Sequence, residues 1–161
     1  MRNLTMMTDL YQLTMMQGYM LKDMSVKKSV FDLFFRKFND GSDFCIMAGL
    51  EQAIDYINNL GFTDDDISYL ASTGIFKDEF LDYLKEFKFT GNIFAVPEGT
   101  VVFPGEPLVR VEAPTVEAQL IETAMLNIIN HQTLIATKAR KVVNAAQGDA
   151  VTEFGLRRAQ G

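Results

Sequence analysis

The chain is poor in the residues that build disulfides, metal clusters and nucleotide loops. Its 161 residues contain one cysteine, Cys45, and one histidine, His131, which rules out an internal disulfide and a Cys/His zinc site. Cys45 lies between Phe44 and Ile46 and reads as a small buried hydrophobe of a cytoplasmic protein. No glycine is followed by lysine and no Gly-x-Gly-x-x-Gly occurs, so neither a Walker loop nor a dinucleotide fingerprint is available. Positive charge is also scarce: 15 Lys and Arg stand against 21 Asp and Glu, a net charge of -6. That balance argues against a nucleic-acid surface, and an anionic ligand would need a local basic pocket. No apolar run reaches membrane-spanning length, and Arg2, mixed polar residues and Asp9 break up any signal-peptide core.

What is present suffices for a packed core, since 48% of the residues are apolar. From Asp9 to Leu21 the spacing of Leu10, Leu13, Met16 and Met20, with Tyr11, Met15 and Tyr19 beside them, predicts a largely buried helix. Asp9 and Gln12 have the spacing of a capping box at its start. Residues 29–37 alternate as a strand, with Asp32, Phe34 and Arg36 on one face, Phe31, Leu33 and Phe35 on the other, and Arg36 near its end. Helices are expected over 51–60, 64–71 and 77–87. All four prolines fall between Pro97 and Pro114, in a compact β unit with turns at Pro97-Glu98-Gly99 and Pro104-Gly105-Glu106. Near-helical spacing then runs from Thr115 to about Gln147, where Asn130-His131-Gln132-Thr133 is expected to divide two helices. Residues 150–154 read as a short strand. The fold class is therefore α/β: an α+β amino-terminal domain over 1–113, and a 114–161 segment holding a long helical stretch and the first strand of an incomplete α/β barrel.

Arg157 and Arg158 are the sharpest candidates for chemistry, because a guanidinium offers paired donors to carboxylate or phosphate and keeps its charge at any working pH. An Arg pair is usually just solvated surface, but these follow Gly155 and the expected strand. Tyr11 alone would read as a core or interface tyrosine. Arg36 and Lys37 would read as a solvated strand end. Asp64-Asp65-Asp66 follow Thr63 at a helix start, where negative charge offsets the dipole, so they are not assigned to a metal. His131 is assigned to helix packing or capping.

Several segments carry a family resemblance in order along the chain: Thr8 to Met15, Val30 to Lys37, Phe89-Thr90-Gly91, Val96 to Pro104, Asn127 to Ala139, and Thr152 to Gly161. Together they resemble the amino-terminal part of a nicotinate phosphoribosyltransferase. The resemblance implies transfer of phosphoribosyl from phosphoribosyl pyrophosphate to nicotinate, with ATP and Mg2+ expected for the whole enzyme, in a cytoplasmic homodimer without nucleic-acid or membrane partners. It implies that Tyr11 stacks on the pyridine ring across a dimer interface, that Phe154 lies against that ring, and that Arg157 and Arg158 hold the nucleotide or carboxylate. Arg36 and Lys37 would meet the phosphates of phosphoribosyl pyrophosphate from the partner subunit. The family's phosphorylated histidine lies downstream of the Leu-Arg-Arg motif, so it is not His131, and no catalytic residue is expected within the chain. The chain thus reads as the front part of a longer protein, inactive by itself and prone to self-association. A nicotinamide-specific or quinolinate-specific relative is the near alternative. A β carrier module over 92–113 is the distant one, and it lacks an attachment lysine because none occurs between Lys88 and Lys138.

Overall fold

Alternation in the Phe-rich segment becomes an edge strand of a three-stranded antiparallel sheet. The computed structural model describes residues 3–37 and 43–159. In it β1 (Lys28–Leu33) pairs with β5 (Val109–Pro114), and β5 pairs in turn with β3 (Asn92–Ala95), giving the order β1-β5-β3. Phe31 and Val111, and Leu33 and Val109, are register partners facing inward. Asp32 lies opposite Arg110 on the outer face, and two parallel bonds of 2.8 and 2.9 Å join them. A smaller ladder pairs β2 (Cys45–Ile46) with β4 (Val101–Val102).

The described residues also form four short helices: α1 (Leu10–Met20), α2 (Leu50–Asn58), α3 (Asp64–Ser72) and α4 (Asp78–Lys85). The long helix α5 (Thr115–Ala145) starts where β5 ends and runs 31 residues, about 46 Å at the α-helical rise. Its buried side chains serve two cores. Val116 and Leu120 join Leu13 and Met16 of α1 and Leu70, Phe80 and Leu84 of α3 and α4. Ala118, Ile121, Met125, Ile128 and Ile129 join the inward residues of both sheets. No helix among the described residues is long and apolar enough to cross a membrane.

Residue 113, the expected end of the first domain, lies within β5, and β5 and α5 share one core. Asn130-His131-Gln132-Thr133 does not divide α5, and Gln132 and Thr133 find partners without breaking the helix. Gln132 bonds Gln52 at 2.6 Å, and buried Thr133 exchanges hydrogen bonds with the backbone of Ala48 at 3.3 Å. Thr137 accepts the Ile46 amide at 2.9 Å, so two helix threonines answer the backbone of β2 and of the segment that follows it. The expected strand over 150–154 is also not formed. A strand requires a ladder, and no described segment pairs with these residues. Residues 92–113 are no separate carrier module, since Leu108, Val109 and Val111 belong to the core shared with α5.

Two motif segments have structural work. Glu98, in the first Pro-Gly turn, accepts the amides of Gly49 and Leu50 at 2.7 and 2.6 Å, which places a carboxylate on the amino end of α2. In Phe89-Thr90-Gly91, Thr90 donates its amide and hydroxyl to buried Glu117 at 2.6 and 2.9 Å. Gly91 has no room for a side chain: a Cβ there would clash with that of Ala113 and lie 2.9 Å from the carbonyl of Glu112. Gly91→Ala therefore lowers unfolding free energy by about 1–3 kcal/mol through overpacking, read from the urea midpoint of each protein.

The Asp32–Arg110 pair has a pH signature. The hydrogen bond from Arg110 holds the Asp32 carboxyl below its ordinary range, with charge attraction assisting. A depressed folded-state value means that the pair's contribution is complete above the unfolded carboxylate pKa, about 3.9, and is lost as pH falls through the folded value. Asp32→Asn should therefore flatten the acid limb of a stability-versus-pH curve below about pH 4, and leave the slope near neutrality unchanged.

Candidate functional site

The first turn of α1, the extended segment after β1 and one face of α5 enclose an open cavity of about 660 Å³. β1 ends at Leu33 rather than running to Lys37. The segment leading into β5 holds carbonyls at and beyond that end: the Leu108 amide donates to Leu33 at 2.8 Å and the Gly105 amide to Phe35 at 2.9 Å. Phe35 is half-buried, while Phe34, Arg36 and Lys37 are exposed. Both cations line the cavity. Neither takes part in an ion pair among the described residues, so both charges can meet an anion.

Tyr11, the second residue of α1, lines the same cavity and is 52% exposed. The expected Asp9–Gln12 capping box is absent. The Asp9 carboxylate instead accepts the Thr123 hydroxyl at 2.9 Å, tying the start of α1 to α5. Gln12 turns into the interface, fully buried, and donates to the Tyr11 phenolic oxygen at 3.0 Å and to Glu122 at 3.2 Å. The ordinary tyrosine value near 10 is raised at Tyr11, first by desolvation and then by the negative charges of Glu122 and Asp9.

The α5 wall supplies Glu122, Thr123, Asn127 and Asn130. The two asparagines were not singled out in the sequence. Their signal was the helical spacing of Thr123, Asn127, Asn130 and Leu134, which puts them in one half-polar stripe of the helix. A flat aromatic surface, two available cations and amide groups suit a small planar anion and a phosphate-bearing partner.

Phe154, Arg157 and Arg158 are not at this cavity. They follow α5 on an exposed segment where Leu156–Arg158 forms a single 3-10 turn, and Phe154 is 85% exposed. Within one copy the structure therefore groups Tyr11, Arg36 and Lys37, and leaves the other three residues apart. Gln160 and Gly161 of the terminal motif lie outside the described residues. Asp66 closes a capping box with Thr63, whose amide it accepts at 2.8 Å. His131 lines a different hollow beside Leu4, Met7 and Gln52.

The electrostatic coupling at Tyr11 is open to titration. In a 13C-tyrosine NMR experiment its phenol should ionise above pH 10. Glu122→Gln should move that midpoint downward, because removing a negative neighbour makes the phenolate easier to form.

Comparison with known proteins agrees with the residue pattern. A family profile for the nicotinate phosphoribosyltransferase N-terminal domain matches residues 6–130. The chain is 47% identical over 154 residues to a nicotinate phosphoribosyltransferase of Mycobacterium tuberculosis, covering 96% of this chain and 33% of that protein. It is 47% identical over 157 residues to the Bacillus subtilis nicotinate phosphoribosyltransferase, covering 98% of this chain and 32% of that one. The crystal structure of human nicotinic acid phosphoribosyltransferase superposes with a TM-score of 0.87 at 35% identity, over 96% of this chain and 32% of the human one. The chain thus spans about a third of the length of the relatives it matches.

Proposed function

The chain belongs to the nicotinate phosphoribosyltransferase family through its N-terminal domain, and on that footing we propose that it serves an enzyme that transfers phosphoribosyl from phosphoribosyl pyrophosphate to nicotinate. The observation that carries this reading is the convergence of Tyr11, Arg36 and Lys37, from separate parts of the fold, on one cavity. In the reaction the pyridine nitrogen attacks the anomeric carbon of the sugar, the bond from that carbon to pyrophosphate breaks, and pyrophosphate leaves. Nicotinate mononucleotide, a precursor for NAD synthesis, results.

The chain's residues would act by placement and charge. Tyr11 offers its ring face to the pyridine, which limits the directions from which the nitrogen approaches. Arg36 and Lys37 hold the polyphosphate, and their charges favour the departing pyrophosphate as negative charge builds on it. Phe154, Arg157 and Arg158 would complete the site from a second copy, as the separation of the two residue groups within one copy suggests. The working protein is then a cytoplasmic homodimer with shared sites. Among the described residues no three Asp, Glu, His or Cys side chains come together to hold an ion. Mg2+ and ATP are expected requirements of the whole enzyme, with no step assigned to this chain.

The test is turnover by the full natural protein. Nicotinate with phosphoribosyl pyrophosphate should give nicotinate mononucleotide, with nicotinamide and quinolinate much poorer substrates, and residues 1–161 alone should give none. Tyr11→Ala should raise the nicotinate KM at least about tenfold, and Arg36→Ala the phosphoribosyl pyrophosphate KM by a similar factor, each the scale of losing a well-placed contact. A preference for nicotinamide would overturn the substrate assignment. Unchanged constants in both variants would remove the cavity from the reaction.

A further inference from the structure

Tyr11 and Gln12 are consecutive in α1, and neighbours at that spacing point about 100° apart on a helix and do not normally meet. Here they do: the Gln12 Nε2 lies 3.0 Å from the phenolic oxygen. The Gln12 amide is completely buried and its orientation is forced by its other partners. Its Oε1 accepts from the Nε2 of buried Gln119. Its Nε2 also faces the Oε2 of Glu122 at 3.2 Å, and Gln119 Nε2 meets that same oxygen at 3.2 Å. Only an N–H can face a carboxylate oxygen, so Glu122 fixes which end of each amide points where. The other proton on Gln12 Nε2 has two acceptors in reach, the Tyr11 oxygen at 3.0 Å and the Thr123 hydroxyl oxygen at 3.5 Å, and the shorter contact directs it to Tyr11, whose oxygen accepts it. The phenol keeps its own proton for another acceptor.

We propose that Gln12 is a positioning residue, which with Glu122 and Gln119 tethers the Tyr11 hydroxyl and holds its half-exposed ring in the orientation that a planar ligand stacks against. An aromatic side chain exposed to this degree and lacking such a tether would sample other rotamers, and binding would then carry the cost of ordering it. The tether removes that cost in advance. Its ligand is the pyridine ring of the proposed substrate, so the inference rests on the function proposed above.

The experiment is a double-mutant cycle on the full natural protein, using Tyr11→Phe, Gln12→Met and the pair, with steady-state constants for nicotinate and for phosphoribosyl pyrophosphate. Each single change should raise the nicotinate KM about five- to tenfold, as for one neutral hydrogen bond. The kcat and the phosphoribosyl pyrophosphate KM should stay within about twofold, and the double variant should match either single within about twofold, because both remove the same bond. Should Gln12→Met fail to fold, Gln12→Asn replaces it, keeping a buried amide but drawing it back from the phenol by one methylene. Multiplying single effects, equal rises in both KM values, or no rise in either single variant overturns the tether. Tyr11→Ala separates the two levels. A raised nicotinate KM there with unaffected Tyr11→Phe and Gln12 variants defeats the tether alone, whereas an unchanged value defeats the role of Tyr11 and the tether with it.

Discussion

Burial of α5 on two sides holds the rest of the structure in place. A helix usually presents one apolar stripe to one core. Here the first turns of α5 face the α1, α3 and α4 cluster through Val116 and Leu120, and the middle faces both small sheets through Ile121, Met125 and Ile128. Neither small sheet could bury an inner face without it, since two- and three-stranded ladders are marginal alone. Burying the larger of these side chains stabilises the fold by about 1.5–3 kcal/mol each, far more than the exposed ion pairs contribute.

The same helix makes the polar groups at its contacts interdependent. Thr133 and Thr137 answer the backbone of the segment beginning with β2, Glu117 answers Thr90, and Glu122 answers Gln12 and Gln119. Each of these groups sits at an interface where an unmade bond is costly, so the contacts select a single register for the helix against its neighbours. That register sets which α5 residues, Thr123, Asn127 and Asn130 among them, line the cavity.

The cavity is consequently a product of the packing. Its aromatic wall comes from the start of α1, its cations from the segment after β1, and its polar floor from α5. Residues within each of these three parts are close in sequence, but the parts are far from one another. Residues Phe154 to Arg158 follow α5 on an exposed segment and do not line this cavity. Their proposed role therefore depends on a second chain, whereas that of Tyr11 is prepared inside one chain by Gln12.

Local chemistry was enough to reveal some features from the sequence alone. Alternation marked the inward and outward faces of β1. Thr63 ahead of three aspartates marked the start of α3, and the Pro-Gly turns at Gly99 and Gly105 appear with positive φ as their composition demands. Motif order along the chain likewise marked the family. Other outcomes needed partners distant in sequence. Thr133 looked like a helix break until the Ala48 backbone was there to use its hydroxyl, and Gln12 looked like a cap until Gln119 and Glu122 drew it inward. Residues 150–154 had strand composition but no ladder to join. Periodicity and turn chemistry are written in neighbouring residues; the destination of a buried polar group depends on what the fold brings opposite it, and only the tertiary structure decides that.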